Sequence, residues 1–149
     1  MQAIIFMGIQ ASGKSTYYWR NFFNSHVRIS MDLLNTRNRE RLFLQSCLQT
    51  QAAFVVDNTN PTLADRQRYI PLAKERQYEV VGYFFETSLK AALRRNSFRT
   101  GKARIPEVGV RACLRKLERP SFSEGFDKLY RVRLEGNQYV VSDWEAQID

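Results

Sequence analysis

Eight consecutive residues, Gly8-Ile9-Gln10-Ala11-Ser12-Gly13-Lys14-Ser15, fit the pattern G-x-x-x-x-G-K-[ST], and Thr16 follows them. Glycines at 8 and 13 let the backbone turn tightly, so that the loop's N–H groups (those of Gln10, Ala11 and Ser12 among them) converge on phosphate oxygens. A helix beginning near Lys14 adds the positive end of its dipole. Lys14 reaches the β- and γ-phosphates, the Ser15 hydroxyl is a Mg²⁺ ligand, and Thr16 beside it is a further nucleotide-binding candidate. The plain alternative is a glycine-rich strand–helix turn. The motif's place between an apolar run and a helix argues instead for a nucleoside triphosphate, ATP with Mg²⁺.

Further candidates follow later apolar runs. Asp57 closes Phe54-Val55-Val56. A carboxylate there can orient the hydration shell of a Mg²⁺ held by Ser15, or it simply starts a turn. Asn58-Thr59-Asn60-Pro61 come next and could hold metal waters, the phosphate loop or an acceptor. Asp32, after Val27-Arg28-Ile29-Ser30, could take the proton of a hydroxyl attacking the γ-phosphate, or cap the next helix. Arg94, Arg95 and Arg99 lie near the end of a helix that Ser88 caps, and Thr100-Gly101-Lys102-Ala103-Arg104-Ile105-Pro106 leads into another. This suggests a small arginine-rich lid over about 95–106. Arg95 and Arg99, four apart, are expected to share a helix face and stabilise charge on a transferring phosphoryl group. Arg94 points elsewhere. Solvated surface arginines are the alternative.

Such residues need a scaffold to hold them. The chain has 149 residues, 44% hydrophobic and 13% aromatic, enough for one domain, 1–149, with a real core. No run of about 18 apolar residues occurs, so no membrane-spanning helix is expected. No signal peptide is recognisable, and cytoplasm is the default location. Cys47, Cys113 and the lone His26 make neither a disulfide framework nor a zinc site.

Apolar runs at Ala3–Met7, Val27–Ser30, Ala52–Val56 and Glu79–Phe85 read as strands. Between them lie helical patterns over Lys14–Asn24, Arg39–Gln51 (Leu42, Phe43, Cys47 and Leu48 on one face) and Thr62–Arg76 (kinked at Pro71). Leu129–Leu134 and Tyr139–Val141 flank a turn at Glu135-Gly136-Asn137-Gln138. The alternation predicts an α/β fold, a parallel sheet flanked by helices, with ligands at the carboxyl ends of the strands. The net charge is +8. Lys90–Arg119 holds ten basic and two acidic residues, so this segment carries the whole excess and suggests an anionic partner.

Taken together, Gly8–Thr16, Asp32, Val55-Val56-Asp57-Asn58-Thr59-Asn60-Pro61 and Arg95-Asn96-Ser97-Phe98-Arg99 with Gly101–Pro106 resemble the kinase domain of 5′-hydroxyl polynucleotide kinases, over Met1 to about Leu117. The resemblance implies an adenylate-kinase-like P-loop phosphotransferase fold. It implies Asp32 as general base, Lys14 and Ser15 on phosphates and Mg²⁺, Arg95 and Arg99 on ATP phosphates, and the 5′-OH end of a nucleic acid as acceptor. Two departures stand out. The family commonly has an Arg three residues after the base, on a phosphate of the acceptor strand; here Asn35 stands there, with Arg37 and Arg39 nearby. The family's kinase is also often joined to a phosphatase or ligase domain, whereas these 149 residues carry no acidic phosphatase motif, so a stand-alone kinase or a separate healing partner is expected. A kinase of a small metabolite or nucleoside, and a nucleotide-binding module with little turnover, are the alternative functions. The basic excess argues against a small acceptor.

Overall fold

The computed structural model describes residues 1–144; residues 145–149, part of the expected single domain, lie outside the described residues. β1 (Gln2–Met7) sits at the centre. Ala3, Ile5 and Met7 face one apolar cluster, Ile4 and Phe6 the other, and all five are buried. Burial on both faces is why this strand reads as a continuous apolar run. β1 pairs in parallel with β3 (Phe54–Val56) on one side and β4 (Glu79–Glu86) on the other. β2 (Val27–Ile29) extends the sheet beyond β3, and β5 (Lys128–Glu135) beyond β4, both in parallel. β6 (Gln138–Asp143) folds back antiparallel on β5. The order β2-β3-β1-β4-β5-β6 reverses at β1. A crevice opens at such a switch point, beyond the strand's carboxyl end. That is where Gly8 begins.

Helices cover both faces. α2 (Met31–Leu34), α3 (Arg37–Thr50) and α5 (Ile70–Glu75) border one cluster, through Leu34, Leu44, Cys47, Leu48, Ile70 and Ala73 against Ile5, Phe54 and Val56, and α4 (Leu63–Arg66) precedes α5. α1 (Lys14–Asn21) packs Tyr17 and Tyr18 on Ile4, Phe6, Phe85 and Val132. α6 (Leu89–Ser97) and α7 (Glu107–Lys116) meet over Ile9, Ala92, Val110 and Cys113, so their apolar contact includes the first turn of the glycine loop.

Several elements differ from the sequence-based expectation, for identifiable reasons. The stretch 62–76 is two short helices, not one kinked helix. Pro71 lies in the first turn of α5, where its missing N–H is harmless, and the chain breaks before it. α1 ends at Asn21 because Phe22 leaves the helix and packs its ring on Phe6, Tyr17 and Tyr83. α3 starts two residues earlier than expected, capped by the Thr36 hydroxyl, which accepts from the Arg39 N–H. Its inner face is Glu40, Leu44, Cys47 and Leu48; Leu42 and Phe43 are exposed. α6 stops at Ser97, so Arg99 lies beyond the helix and does not share a helical face with Arg95.

One buried ion pair ties the layers together. Arg66 is fully buried, with Nε 2.8 Å from Glu124 Oε1. Its other nitrogens donate to the carbonyls of Asn60 and Glu118. Glu124 Oε2 in turn accepts from the Ser121 N–H. An ion pair this dry is costly to break on one side only. Glu124→Ala should therefore destabilise the fold by about 3–5 kcal/mol in urea unfolding, whereas Arg66→Met combined with Glu124→Leu should recover much of that loss.

Candidate active site

The glycine loop is shaped by what holds its carbonyls. Lys14 Nζ donates to Gly8 O (2.9 Å) and Ile9 O (2.7 Å), and lies 3.3 Å from Ser12 Oγ. Arg95 donates to Ala11 O at 2.9 Å and to Thr87 Oγ1. Tyr139 Oη donates to Gly13 O at 2.7 Å. Four loop carbonyls are thus fixed by three side chains. The first N–H groups of α1 have no intrahelical partner and remain available to an anion. Gly8 is required by contact: a Cβ there would lie 2.8 Å from Phe85 O. At Gly13, with φ 95°, a Cβ would meet Tyr139 Oη at 3.0 Å. Gln10 and Ser12 line the same cleft, and the Gln10 amide oxygen is buried with no hydrogen-bond partner among the described residues.

Burial pushes the Lys14 ammonium down to about 8 from the usual 10.5. Asp57 and, more weakly, Asp32 pull it back up, while Arg99 adds to the fall.

Beside Lys14, Ser15 Oγ donates to Asp57 Oδ2 at 2.9 Å. A hydroxyl and a carboxylate at that spacing are hard oxygen donors of the kind Mg²⁺ takes, alongside water and phosphate oxygens. The residues therefore fit the ion. Arg28 shares both oxygens: its Nε is 2.9 Å from Asp57 Oδ2 and its NH2 3.2 Å from Ser15 Oγ. A divalent ion and this guanidinium compete for the same donors. Sequence reading gave Arg28 no role; its one signal was a charge in the middle of a short strand, Val27–Ile29.

The polar run after β3 divides its work. Asp57 serves the Ser15 side. Thr59 O accepts from the Gly8 N–H, and Asn60 Nδ2 donates to Phe6 O, so both fasten the loop's entry to β1. Asn58 reaches the opposite wall, where its Oδ1 accepts from the Met31 N–H at 2.8 Å and its Nδ2 donates to Glu40 Oε2. Glu40 is buried and also takes Tyr69 Oη and Arg37 NH1. This network fixes the first turn of α2, and with it Asp32, which is exposed and lines the cleft with Lys14, Ser15 and Asp57.

The cleft holds about 590 Å³ and is walled on its far side by Arg99, Lys102, Ala103 and Ile105. Lys14, Ser15, Asp32, Asp57 and Arg99 are brought to one cavity. Arg95 reaches the same loop from behind, and Thr16, in the first turn of α1, is exposed. Arg37 lines the cleft but is paired with Glu40; Arg39 lies on the exposed side of α3. Within the basic segment Arg111 is paired with Glu107, Arg119 stacks on Trp144, and Arg94, Arg104, Arg115 and Lys116 are exposed. Glu40, Tyr69 and Tyr139 also escaped the sequence reading, because their partners lie far along the chain.

Residues 4–120 match the profile of a family described as AAA domain. A bifunctional polynucleotide phosphatase/kinase of Schizosaccharomyces pombe is 25% identical over 88% of this chain and 33% of its own length. A protein of Acanthamoeba polyphaga mimivirus named for the same two activities is 27% identical over 95% of this chain and 35% of its own. The chain thus spans about a third of the length of these curated relatives. A gluconokinase from Sinorhizobium meliloti 1021 superposes with a TM-score of 0.64 over 89% of this chain and 82% of its own, at 19% identity, a likeness of fold. The fold is that of P-loop phosphotransferases, a mostly parallel sheet flanked by helices.

The lowered Lys14 value makes a signed prediction. Between about 8 and 10.5 the folded chain has released a proton that the unfolded chain keeps, so stability of the ligand-free protein should rise with pH across that window. Lys14→Met should lack this contribution in paired unfolding curves. Phosphates beside Lys14 favour its charged form, so ATP binding near pH 8.5 should take up protons, detectable by calorimetry in buffers of different ionisation enthalpy. Removal of the hydroxyl in Tyr139→Phe should weaken ATP binding while the fold survives.

Proposed function

The chain belongs to the AAA domain family, and from that footing we propose that it transfers the γ-phosphate of ATP to the 5′-hydroxyl end of a polynucleotide, DNA or RNA. The observation that carries this is the convergence on one cleft of a phosphate loop, a Ser15–Asp57 metal-donor pair and an open carboxylate, Asp32, held by its own network. The likeness to polynucleotide phosphatase/kinases supports the acceptor class.

In this reading the acceptor O5′ attacks the γ-phosphorus, the O5′–P bond forms, and the bond from the γ-phosphorus to the bridging oxygen breaks to release ADP. The proton leaves O5′ for the Asp32 carboxylate, whose exposed position lets a hydroxyl reach it. Lys14 counters charge on the β- and γ-phosphates: two of its donors keep the carbonyls of Gly8 and Ile9, and the third, now 3.3 Å from Ser12 Oγ, turns to phosphate oxygen. Ser15 and Asp57 would hold Mg²⁺, which neutralises phosphate charge when bound. Arg95 holds the loop from outside, and Arg99 supplies positive charge at its mouth. The 98–106 connection acts as a lid, excluding water when the substrates are seated. The cytoplasm is the proposed location, and a separate phosphatase or ligase the proposed healing partner. Among the described residues no helix is long and apolar enough to cross a membrane.

The fold shared with a gluconokinase favours, as second reading, a kinase of a small hydroxylated metabolite. Labelled ATP offered with 5′-OH oligonucleotides, nucleosides and sugar acids separates the two; preferential labelling of a sugar acid or nucleoside would overturn the polynucleotide reading. Asp32→Asn should slow transfer by roughly 10²–10⁴-fold with ATP affinity little changed. Parallel loss of ATP binding would assign Asp32 a structural part instead.

A further inference from the structure

The two side-chain oxygens offered to a metal, on Ser15 and Asp57, already carry a cation. Asp57 Oδ2 accepts from Ser15 Oγ at 2.9 Å and from Arg28 Nε at 2.9 Å, which occupies both lone pairs of a carboxylate oxygen. Ser15 Oγ gives its one proton to that carboxylate and accepts from Arg28 NH2 at 3.2 Å. A Mg²⁺ ion bonded to these oxygens at about 2.1 Å needs the lone pairs that the guanidinium holds. The two cations can only alternate.

Charge decides which of them is seated. The Asp57 side chain is only 1% exposed, so its carboxylate cannot be left there without a partner. Lys14 adds positive charge beside it, and Arg99 lines the same cleft; the one other acid there, near Lys14, is the exposed Asp32. Exchanging the single charge of Arg28 for a doubly charged ion would crowd cations around one carboxylate. A triphosphate in the loop reverses that balance, because its oxygens bring several negative charges and help complete the ion's shell. Arg28 can withdraw without crossing the cleft. It comes from β2, at the edge of the sheet, and its side chain is 27% exposed. Its guanidinium carbon lies 5.9 Å from the centre of the Tyr18 ring, a face that can keep a displaced cation close by.

We propose that Arg28 is a positioning residue for the metal: its guanidinium closes the Ser15–Asp57 seat to free divalent ions and yields it only to an ion that arrives with nucleotide phosphate. The ion then enters as its ATP complex, and between turnovers Asp57 stays paired and in place. The proposal rests on the Ser15–Asp57 pair of the kinase reading but concerns ion binding, so it can fail while phosphoryl transfer stands.

The test titrates nucleotide-free protein with Mn²⁺, a paramagnetic substitute for Mg²⁺, and follows bound ion by electron paramagnetic resonance. Arg28→Gln keeps much of the side chain's length and removes its charge. Without the charge-assisted competitor it should bind one Mn²⁺ about tenfold or more tightly than wild type does. Adding Asp57→Asn to Arg28→Gln should abolish the gain, which locates the ion. Arg28→Lys retains a cation and should stay close to wild type. Equal affinity in wild type and Arg28→Gln would overturn the proposal, as would a gain in Arg28→Lys as large as in Arg28→Gln. A merely structural role for Arg28 predicts weaker metal binding on its loss, the opposite sign. A further measurement does not depend on the folding of Arg28→Gln. Mg²⁺ added alone should leave the thermal unfolding of wild type unmoved, and a rise in Tm that Asp57→Asn abolishes would overturn the proposal.

Discussion

A loop that binds phosphate through its amides must turn its carbonyls away and keep them there, and in this protein that constraint organises everything else. The carbonyls of Gly8, Ile9, Ala11 and Gly13 are each taken by a side chain: Lys14 for two of them, Arg95 and Tyr139 for the others. The three donors come from α1, α6 and β6, so the loop is gripped from its own helix, from the 87–106 side and from the far edge of the sheet. Two of the three donors are cations. Much of the positive charge near the loop is therefore built into its architecture before any phosphate arrives, and a phosphate entering this cradle meets groups that need little rearrangement.

The opposite wall obeys a similar logic with acids in the buried role. Glu40 is out of solvent and satisfied by Arg37, Tyr69 and Asn58. A buried carboxylate with several donors rigidifies what it touches. Through Asn58 that rigidity reaches the N–H of Met31, the residue before Asp32. Burial and Glu40 push the Tyr69 phenol up to about 12, so it stays a donor across the physiological range. The helix that carries Asp32 has only four residues and could not hold a position by its own hydrogen bonds.

What the sequence made legible was local. The glycine loop, the central apolar strand and the carboxylate ending β3 each announce themselves within a few residues, because strand burial and phosphate chemistry both act at short range. Residues that work across the chain were silent. Tyr139 meets Gly13 across 126 positions, and Tyr69 meets Glu40 across 29. Arg28 was visible only as a charge in a short strand. The face of α3 was half legible: Cys47 and Leu48 pack inward as expected, but the packing against Phe54 and Val56 takes Leu44 in place of Leu42 and Phe43. The shared helix face of Arg95 and Arg99 failed for a simpler reason: the helix ends between them.

The hairpin of β5 and β6 has a consequence for how the molecule is made. Gly13 and the first turn of α1 emerge early in synthesis, but the phenol that fixes Gly13 belongs to residue 139. β1 likewise waits for β3 and β4, whose paired residues are about 50 and 77 positions downstream. Contacts this distant are slow to form, because a long loop must close before they reward it. A growing chain would display the whole nucleotide motif long before it could shape it. A fragment cut before the hairpin would carry the signature residues with the loop held at one fewer point. The full set of contacts that hold the loop is thus complete only once the last strand is in place.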